Sequence, residues 1–445
     1  MLFAKKNFIL LLAVLAVLSV SACLRVAADD LYSLPEASEV HIRLQEQLNS
    51  ILSQGAEFSP PTGGPNKSAV QRMDLNGNGL DEVLAFFSVN GESTLKVCIF
   101  EMVDGEYVVA DAIEGSGTAI ESVRYADMDG DGVMEIIIGW QMSPTLQYFS
   151  VYSIRDFHNV QLVSEEYTEL AVFDLHGNGN ESVVALRLQA TDIGSSAQVF
   201  TLMPDGEIVR EEARLSTGIE AITRVLTGML TDGVPAIFVD SEGSYDEGNL
   251  VTDICAFYEG IFTNVTLRAP GGISEETIRT RLNSSDINKD NVVEVTIPRL
   301  LIAQSETPYY VIDWYAFSSA GEAQLAMTTY HNTFDEWYLI LPLDWRGSVS
   351  VRREDLVAGE RTVIFSHIVS EEGPYEDFLK VYKLSGGIGE ERANLPGRIW
   401  LMSEGTSTYA FELLAPPNSF GLSFDGALIR ANFRLIYSEW LAGTY

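Results

Sequence analysis

A ladder of oxygen-bearing side chains recurs along this chain at intervals near 50 residues, and a repeat of that length admits few folds. Asp127, Asp129, Asp131 and Glu135 stand at positions 1, 3, 5 and 9 of one nine-residue loop. Asp74, Asn76, Asn78 and Glu82 occupy the same positions in an earlier loop, and Asp286, Asn288, Asp290 and Glu294 in a later one. Alternate residues of a tightly turning loop face one side, so positions 1, 3 and 5 converge. The backbone carbonyl of position 7 (Val133, Leu80, Val292) and the carboxylate at position 9 then close a shell of hard oxygens. Such a shell suits Ca²⁺, which takes about 6–8 oxygen ligands.

Position 6 is Gly79, Gly132 or Asn291, residue types that tolerate the positive φ of a sharp turn. Position 12, a bidentate Glu in an EF-hand, is Ala85, Ile138 or Ile297. The flanks are short apolar runs without a 3.6-residue period, so the loops join β-strands rather than helices. An ordinary Asn/Asp/Gly turn without metal is the alternative; three near-matches in register favour a metal. Ligand charge ranks the Asp127 loop first, then Asp286, then Asp74.

Two further loops keep the turn and lose ligands. At Asp174 the ninth position is Ser182 and His176 replaces an oxygen ligand, which reads as a solvent-facing residue in a non-metal loop. Around Asp232 and Gly233 only the turn and the following strand remain. Repeat starts at 74, 127, 174, 228 and 286 give steps of 53, 47, 54 and 58 (127−74, 174−127, 228−174, 286−228). One period is read as four strands near 122–126, 135–140, 145–152 and 160–164, the content of one propeller blade. Extending the period to residue 445 predicts an all-β propeller of about seven four-stranded blades, with six or eight left open. Six further strand-like runs lie at 349–353, 361–365, 378–382, 398–402, 409–413 and 431–437.

The D-x-[DN]-G-[DN]-G-x-x-E loops at 74–82 and 127–135, and more loosely at 286–294, resemble the FG-GAP / VCBS repeats of β-propellers, which are related in fold to the integrin α-subunit propeller. That resemblance implies calcium in the loops and stiffened blades. It implies no single function, because such propellers serve adhesins, lectin-like binders and enzyme-associated modules.

The N-terminus is read as an export signal. Lys5 and Lys6 precede a 13-residue apolar core, Phe8 to Val20, too short to span a bilayer. The run Val20-Ser21-Ala22-Cys23 resembles a bacterial lipobox, which implies cleavage before Cys23 and lipidation of its thiol. A plain signal peptide with an incidental Cys23 is the alternative. The expected division is 1–22 signal, 23–65 lipidated cysteine, linker and one amphipathic helix over Glu39 to Ser53 (Ile42, Leu44, Leu48, Ile51, Leu52 at helical spacing), and 66–445 propeller. The expected location is the outer face of the cell membrane. Cys98 and Cys255 fall in separate repeats, so they are read as buried free thiols.

With 28 basic and 63 acidic residues the chain carries −35, and loss of Lys5 and Lys6 makes 26 − 63 = −37. That excludes nucleic acid and direct docking on anionic lipid. No G-x-S-x-G, H-E-x-x-H or Walker loop occurs, and Ser93 to Lys96 matches S-x-x-K by letters alone. Aromatics beside carboxylates (Tyr309, Tyr310, Asp313, Trp314, Tyr315; Asp335, Trp337, Tyr338) suit either sugar stacking or a blade core. Two function classes remain: a calcium-stiffened binding or scaffolding lipoprotein with a protein or glycan ligand, and a carbohydrate-active enzyme using rim carboxylates.

Overall fold

Period-2 apolar runs closed by tight polar turns build antiparallel meanders, because such turns return the chain directly beside the strand just made. The computed structural model describes residues 39–436 apart from 90–93, 156–157, 189–193, 244–248, 281, 303–307 and 371–372. The signal, the lipobox with Cys23 and Ser93 lie outside the described residues. Among those residues the fold is all-β and of propeller type: six antiparallel sheets, the lowest of the three counts left open by the repeat.

The chain divides into two compact units. The first holds a helix and the first sheet. The helix, Glu39–Ser53, buries Leu44 and Leu48 against Val83, Ala85, Phe87 and Phe100, with Ile51 and Leu52 packed beside them. Ile42, counted above on the apolar face, is 48% exposed. The helix is therefore part of the first unit's core. The strand Ala56–Phe58 follows it and pairs with Glu82–Val89. A strand upstream of residue 66 is thus paired into the first sheet. The remaining strands of this sheet are Val70–Met73, Thr94–Val103 and Glu106–Ser116.

The second unit holds five sheets. The strands Ala119–Ala126, Glu135–Ser143, Leu146–Arg155 and His158–Tyr167 form one, matching the repeat read at 122–164. Glu169–Phe173, Ser182–Arg187, Ser196–Leu202 and Ile208–Arg214 form the next. Ile219–Met229, Pro235–Gly243, Asn249–Tyr258 and Ile261–Asn264 form a third, with the short Arg279–Thr280 paired to Asn249–Tyr258. Their central strands are buried on both faces (Ile136 to Ile138, Val183 to Leu186, Ala236 to Val239), as expected where sheet packs on sheet.

The last two sheets depart from simple repetition. Val295–Leu300, Tyr310–Phe317, Ala323–Asn332 and Trp337–Leu341 take a fifth strand, Phe433–Leu435, from almost 100 residues further on. The run at 431–437 was read as one strand; residues 431 and 432 instead end the helix Gly426–Asn432, capped by Asp425. In the last sheet, Val349–Glu354, Glu360–Ile368 and Tyr375–Ser385 are followed in space by Ser407–Leu413 and then Arg398–Glu404. Both meet in one core with Trp337, Trp345, Phe365, Phe378 and Phe433.

Buried polar clasps hold the segment between the third and fourth of these sheets. Asp240 Oδ1 accepts from Arg279 Nη2 (2.8 Å), Ser284 Oγ (2.8 Å) and Thr252 Oγ1 (2.5 Å), and Oδ2 accepts from Ser284 N (2.8 Å). Asp253 is clasped likewise by Ser216, Ser274 and Asn264. Cys98 and Cys255 are buried and free.

Candidate metal centre

The ligand loops share one hydrogen-bonded template. The carboxylate at position 1 accepts backbone N–H groups from residues further round the turn: Asp74 from Asn78 and Gly79 (3.1 and 2.8 Å), Asp174 from Asn178 and Gly179 (3.1 and 2.8 Å), Asp286 from Asp290 and Asn291 (3.1 and 2.8 Å). Asp127 does the same with Gly130 and Gly132 (2.8 and 3.0 Å). The position-5 oxygen then accepts the position-7 N–H, as in Asp131 with Val133 (2.8 Å) and Asp290 with Val292 (2.9 Å). Position 6 has the expected positive φ: 83° at Gly79, 85° at Gly132 and 70° at Asn291.

Position 9 separates the loops. Glu82, Glu135 and Glu294 are 0, 1 and 1% exposed; Glu82 and Glu135 begin central strands, and Glu294 immediately precedes the edge strand Val295–Leu300. Glu135 Oε2 accepts from Met128 N (3.1 Å), and Glu294 Oε2 from Ile287 N (3.2 Å). Burial raises the Glu135 carboxyl to about 7, with the Asp129 and Asp131 charges adding to the rise and the Met128 N–H opposing it. Glu294 is raised to about 7 by burial, opposed by the Ile287 N–H and reinforced by Asp290 and Asp286. A buried carboxylate facing like charges is costly unless a cation joins it.

The Asp127 loop has a group of side chains that could hold one. Carboxylate oxygens of Asp127, Asp129 and Glu135 lie within 4.8 Å of one another, the one such group of three or more acidic, His or Cys ligands among the described residues. Its donors are all hard oxygens, the chemistry that an alkaline-earth ion prefers. In the Asp286 loop the Asn288 amide donates to Asp290 Oδ2 (2.8 Å) and Glu294 Oε1 (3.3 Å), so a side-chain N–H bridges the two carboxylates. In the Asp74 loop Asn78 Oδ1 accepts from Leu80 N (2.7 Å), and residues 75–77, with Asn76, belong to the second unit. In the Asp174 loop Ser182 fills position 9. His176 is exposed as expected, yet held: Nε2 lies 2.9 Å from Thr201 Oγ1 and the ring stacks on Phe257 at 4.4 Å. Asp232 accepts from Ser319 N and Oγ (3.1 and 2.6 Å), a turn clasp.

The sequence reading missed position 4. A Cβ on Gly77 would stand 2.6 Å from the Gly132 carbonyl oxygen, and one on Gly130 would stand 2.6 Å from Asn180 Oδ1. Met134 N donates to Leu75 O (2.7 Å), and Glu181 N to Asp127 O (3.3 Å). Successive loops thus lean on one another in register, and a glycine is needed where the next loop crosses. The Asp286 loop has the exposed Lys289 there, at φ 64°. The spacing G-x-G in the Asp74, Asp127 and Asp174 loops was the available signal.

The tryptophans of the aromatic stretch are core, whereas Tyr309, Tyr315 and Tyr338 are half-buried and Tyr310 is 48% exposed. Trp314 and Trp337 are fully buried. Asp313 is gripped by Arg299 (2.8 Å), Arg346 (3.1 Å) and Thr328 (2.6 Å), and Asp335 by Arg361 (2.8 Å). Lys96 reaches Glu114 at 3.4 Å from within a strand.

Residues 74–138 match the FG-GAP-like repeat family, a span running from the first ligand loop through the second. No curated protein matches the chain in sequence. Among solved structures the chain is similar to rhamnogalacturonan lyase YesW (14% identity, 67% of this chain and 60% of that one, TM-score 0.29). It is also similar to the exotype rhamnogalacturonan lyase YesX (11%, 80% and 76%, TM-score 0.26) and to the C-terminal domain of PilY1 from Pseudomonas aeruginosa (12%, 68% and 76%, TM-score 0.26). At these TM-scores none of the three bears on what the chain does.

Proposed function

We propose that this all-β chain with an FG-GAP-like repeat is a calcium-stabilised binding or scaffolding module, exported and held on the outer face of a membrane by lipid on Cys23. The observation that carries the calcium reading is the convergence of Asp127, Asp129 and Glu135 within 4.8 Å, with Glu135 buried. Asp131, which lies outside that group of three, and the Val133 carbonyl are the further ligands the loop sequence offers. A bound Ca²⁺ supplies charge neutralisation and ties the loop to the strand that begins at Glu135. The binding role is supported by the commitment of Asp313 and Asp335 to arginines, which leaves those carboxylates to structure rather than acid–base work. Anchoring is supported by Val20 to Cys23 behind the apolar core, and no helix among the described residues is long and apolar enough to cross a membrane.

The test uses the mature chain with Cys23 replaced by serine. Calcium titration by calorimetry should show at least one site with Kd of about 10⁻⁴–10⁻³ M, abolished by Asp127→Asn. Heat-free titration across that range refutes the calcium reading. For the anchor, full-length protein expressed in a bacterial host should take up labelled palmitate and lose it in Cys23→Ser; equal labelling of both refutes lipidation at Cys23.

A further inference from the structure

The first strands of three consecutive sheets, Ala119–Ala126, Glu169–Phe173 and Ile219–Met229, line a cavity of about 530 Å³. Small-molecule sites are usually of about 300–1,000 Å³. Each of these strands is the edge of its sheet, so backbone groups turned away from the second strand are not used in the ladder.

Two guanidinium groups line this cavity in a strongly acidic protein. Arg124 donates through Nη2 to the Leu170 carbonyl (3.2 Å), while its Nε is buried without a hydrogen-bond partner. Arg224 Nη1 is likewise buried and unpartnered. Glu169 is the one carboxylate among the lining residues. Its carboxyl is raised by burial and by Glu121, against the pull of Arg124. The lining therefore carries +1 with Glu169 ionised and +2 with it protonated. Buried charged donors left unmatched cost free energy. With 63 acidic residues in the chain, a neutralising partner for Arg224 was within easy reach of sequence change. The cavity-lining guanidinium groups of Arg124 and Arg224 offer an incoming anion planar forks that match the two oxygens of a carboxylate or phosphate. Ile222, Val225 and Leu226 add an apolar wall, which favours an organic anion over a bare inorganic one.

The geometry points to an oxyanion-binding site here, taking a small organic carboxylate or phosphate ester between Arg124 and Arg224. The site gives a ligand class to the binding role above and rests on that role, but it shares no residue with the calcium loops. Glucuronate, glucose 6-phosphate and glucose serve as probes, since they differ chiefly in charge. Calorimetry on the mature chain in calcium and low chloride should show saturable binding of at least one acid, at least tenfold tighter than glucose. Preference between the two acids identifies carboxylate or phosphate as the source. Arg224→Gln and Arg124→Gln should each weaken that binding at least tenfold, with unchanged far-ultraviolet circular dichroism. Failure of both acids to saturate by 10 mM, equal binding of glucose, or full binding by both variants overturns the site. The glucose comparison stands on wild-type protein alone if the variants fail to fold. Calcium-dependent melting of the same samples distinguishes failure of this site from failure of the calcium reading.

Discussion

Asp129→Asn should change sign with calcium. The substitution keeps the shape and the oxygen that accepts the Asp131 N–H (3.2 Å), and removes one charge from the group of three. Two unit charges 4.8 Å apart repel by about 0.9 kcal/mol in a water-like medium and about 3.5 kcal/mol at an effective dielectric of about 20. Asp129 faces two such partners, Asp127 and Glu135, so full ionisation would place about 2–7 kcal/mol on its charge. Glu135, raised to about 7 by burial, sheds part of this by holding a proton near neutrality. The lower end therefore applies: in chelator, Asp129→Asn should leave the protein as stable as wild type or stabilise it by about 1–2 kcal/mol. Calcium at about 100 times Kd stabilises wild type by about 2.7 kcal/mol, and the variant should lose most of that. Unfolding entropy of about 2 cal/mol/K per residue converts 2.7 kcal/mol into roughly 3 °C for a chain of this length. Melting of both proteins in 10 mM calcium and in chelator reads the crossover. Equal destabilisation in the two conditions would refute the reasoning, because the carboxylate would then act only through neutral packing.

Other outcomes test the frame around the loop. Gly77→Ala should cost about 1–2 kcal/mol more than Gly79→Ala in denaturant unfolding, since both need positive φ but only Gly77 meets a carbonyl, at 2.6 Å, whereas Gly79 faces open space. Arg279→Met strands a buried Asp240 and should destabilise by about 3–5 kcal/mol, while Arg279→Met with Asp240→Leu should recover part of that, the remainder being the Ser284 and Thr252 donors left without Asp240; an equally unstable double variant would contradict the ion-pair account. Asp377, held by Arg352 (2.5 and 2.6 Å) and Ser366 (2.7 Å), is lowered chiefly by the Arg352 hydrogen bond. A lowered carboxyl contributes stability above its unfolded pKa of about 4 and loses it as pH falls further. Asp377→Asn should therefore narrow the melting difference between pH 7 and pH 3; an unaltered difference would remove this pair from acid unfolding.

The loops were legible because their chemistry is local: five residues on one turn fix ligand direction, glycine position and the following strand. The helix over Glu39 to Ser53 was legible for the same reason, through the spacing of Leu44, Leu48 and Leu52. What escaped was non-local. Ile42 fits the helical stripe but finds no sheet beneath it. Residues 56–58 carry too short a pattern to reveal a strand that pairs with Val89 and its neighbours. Gly77 and Gly130 looked like turn residues, and their second duty shows only when the next loop lies across them. Arg124 and Arg224 stand 100 residues apart (224−124), so nothing in the sequence links them to one cavity. In the last sheet no ligand loop marks the repeat, and in the last two sheets strand order departs from chain order.

The pairing of Phe433–Leu435 with Trp337–Leu341 sets the order in which this protein can be finished. Synthesis delivers the earlier meanders one hairpin at a time, each able to zip on the strand before it. The strand at Trp337 must wait through some 90 further residues, with Trp337 deprived of the Phe433 ring that stacks on it at 5.6 Å. During that interval it offers an apolar, unzipped border to any neighbouring chain. A ribosome stalled short of Phe433, or a protease trimming the tail, would release a species prone to clumping though nearly every sheet had already formed.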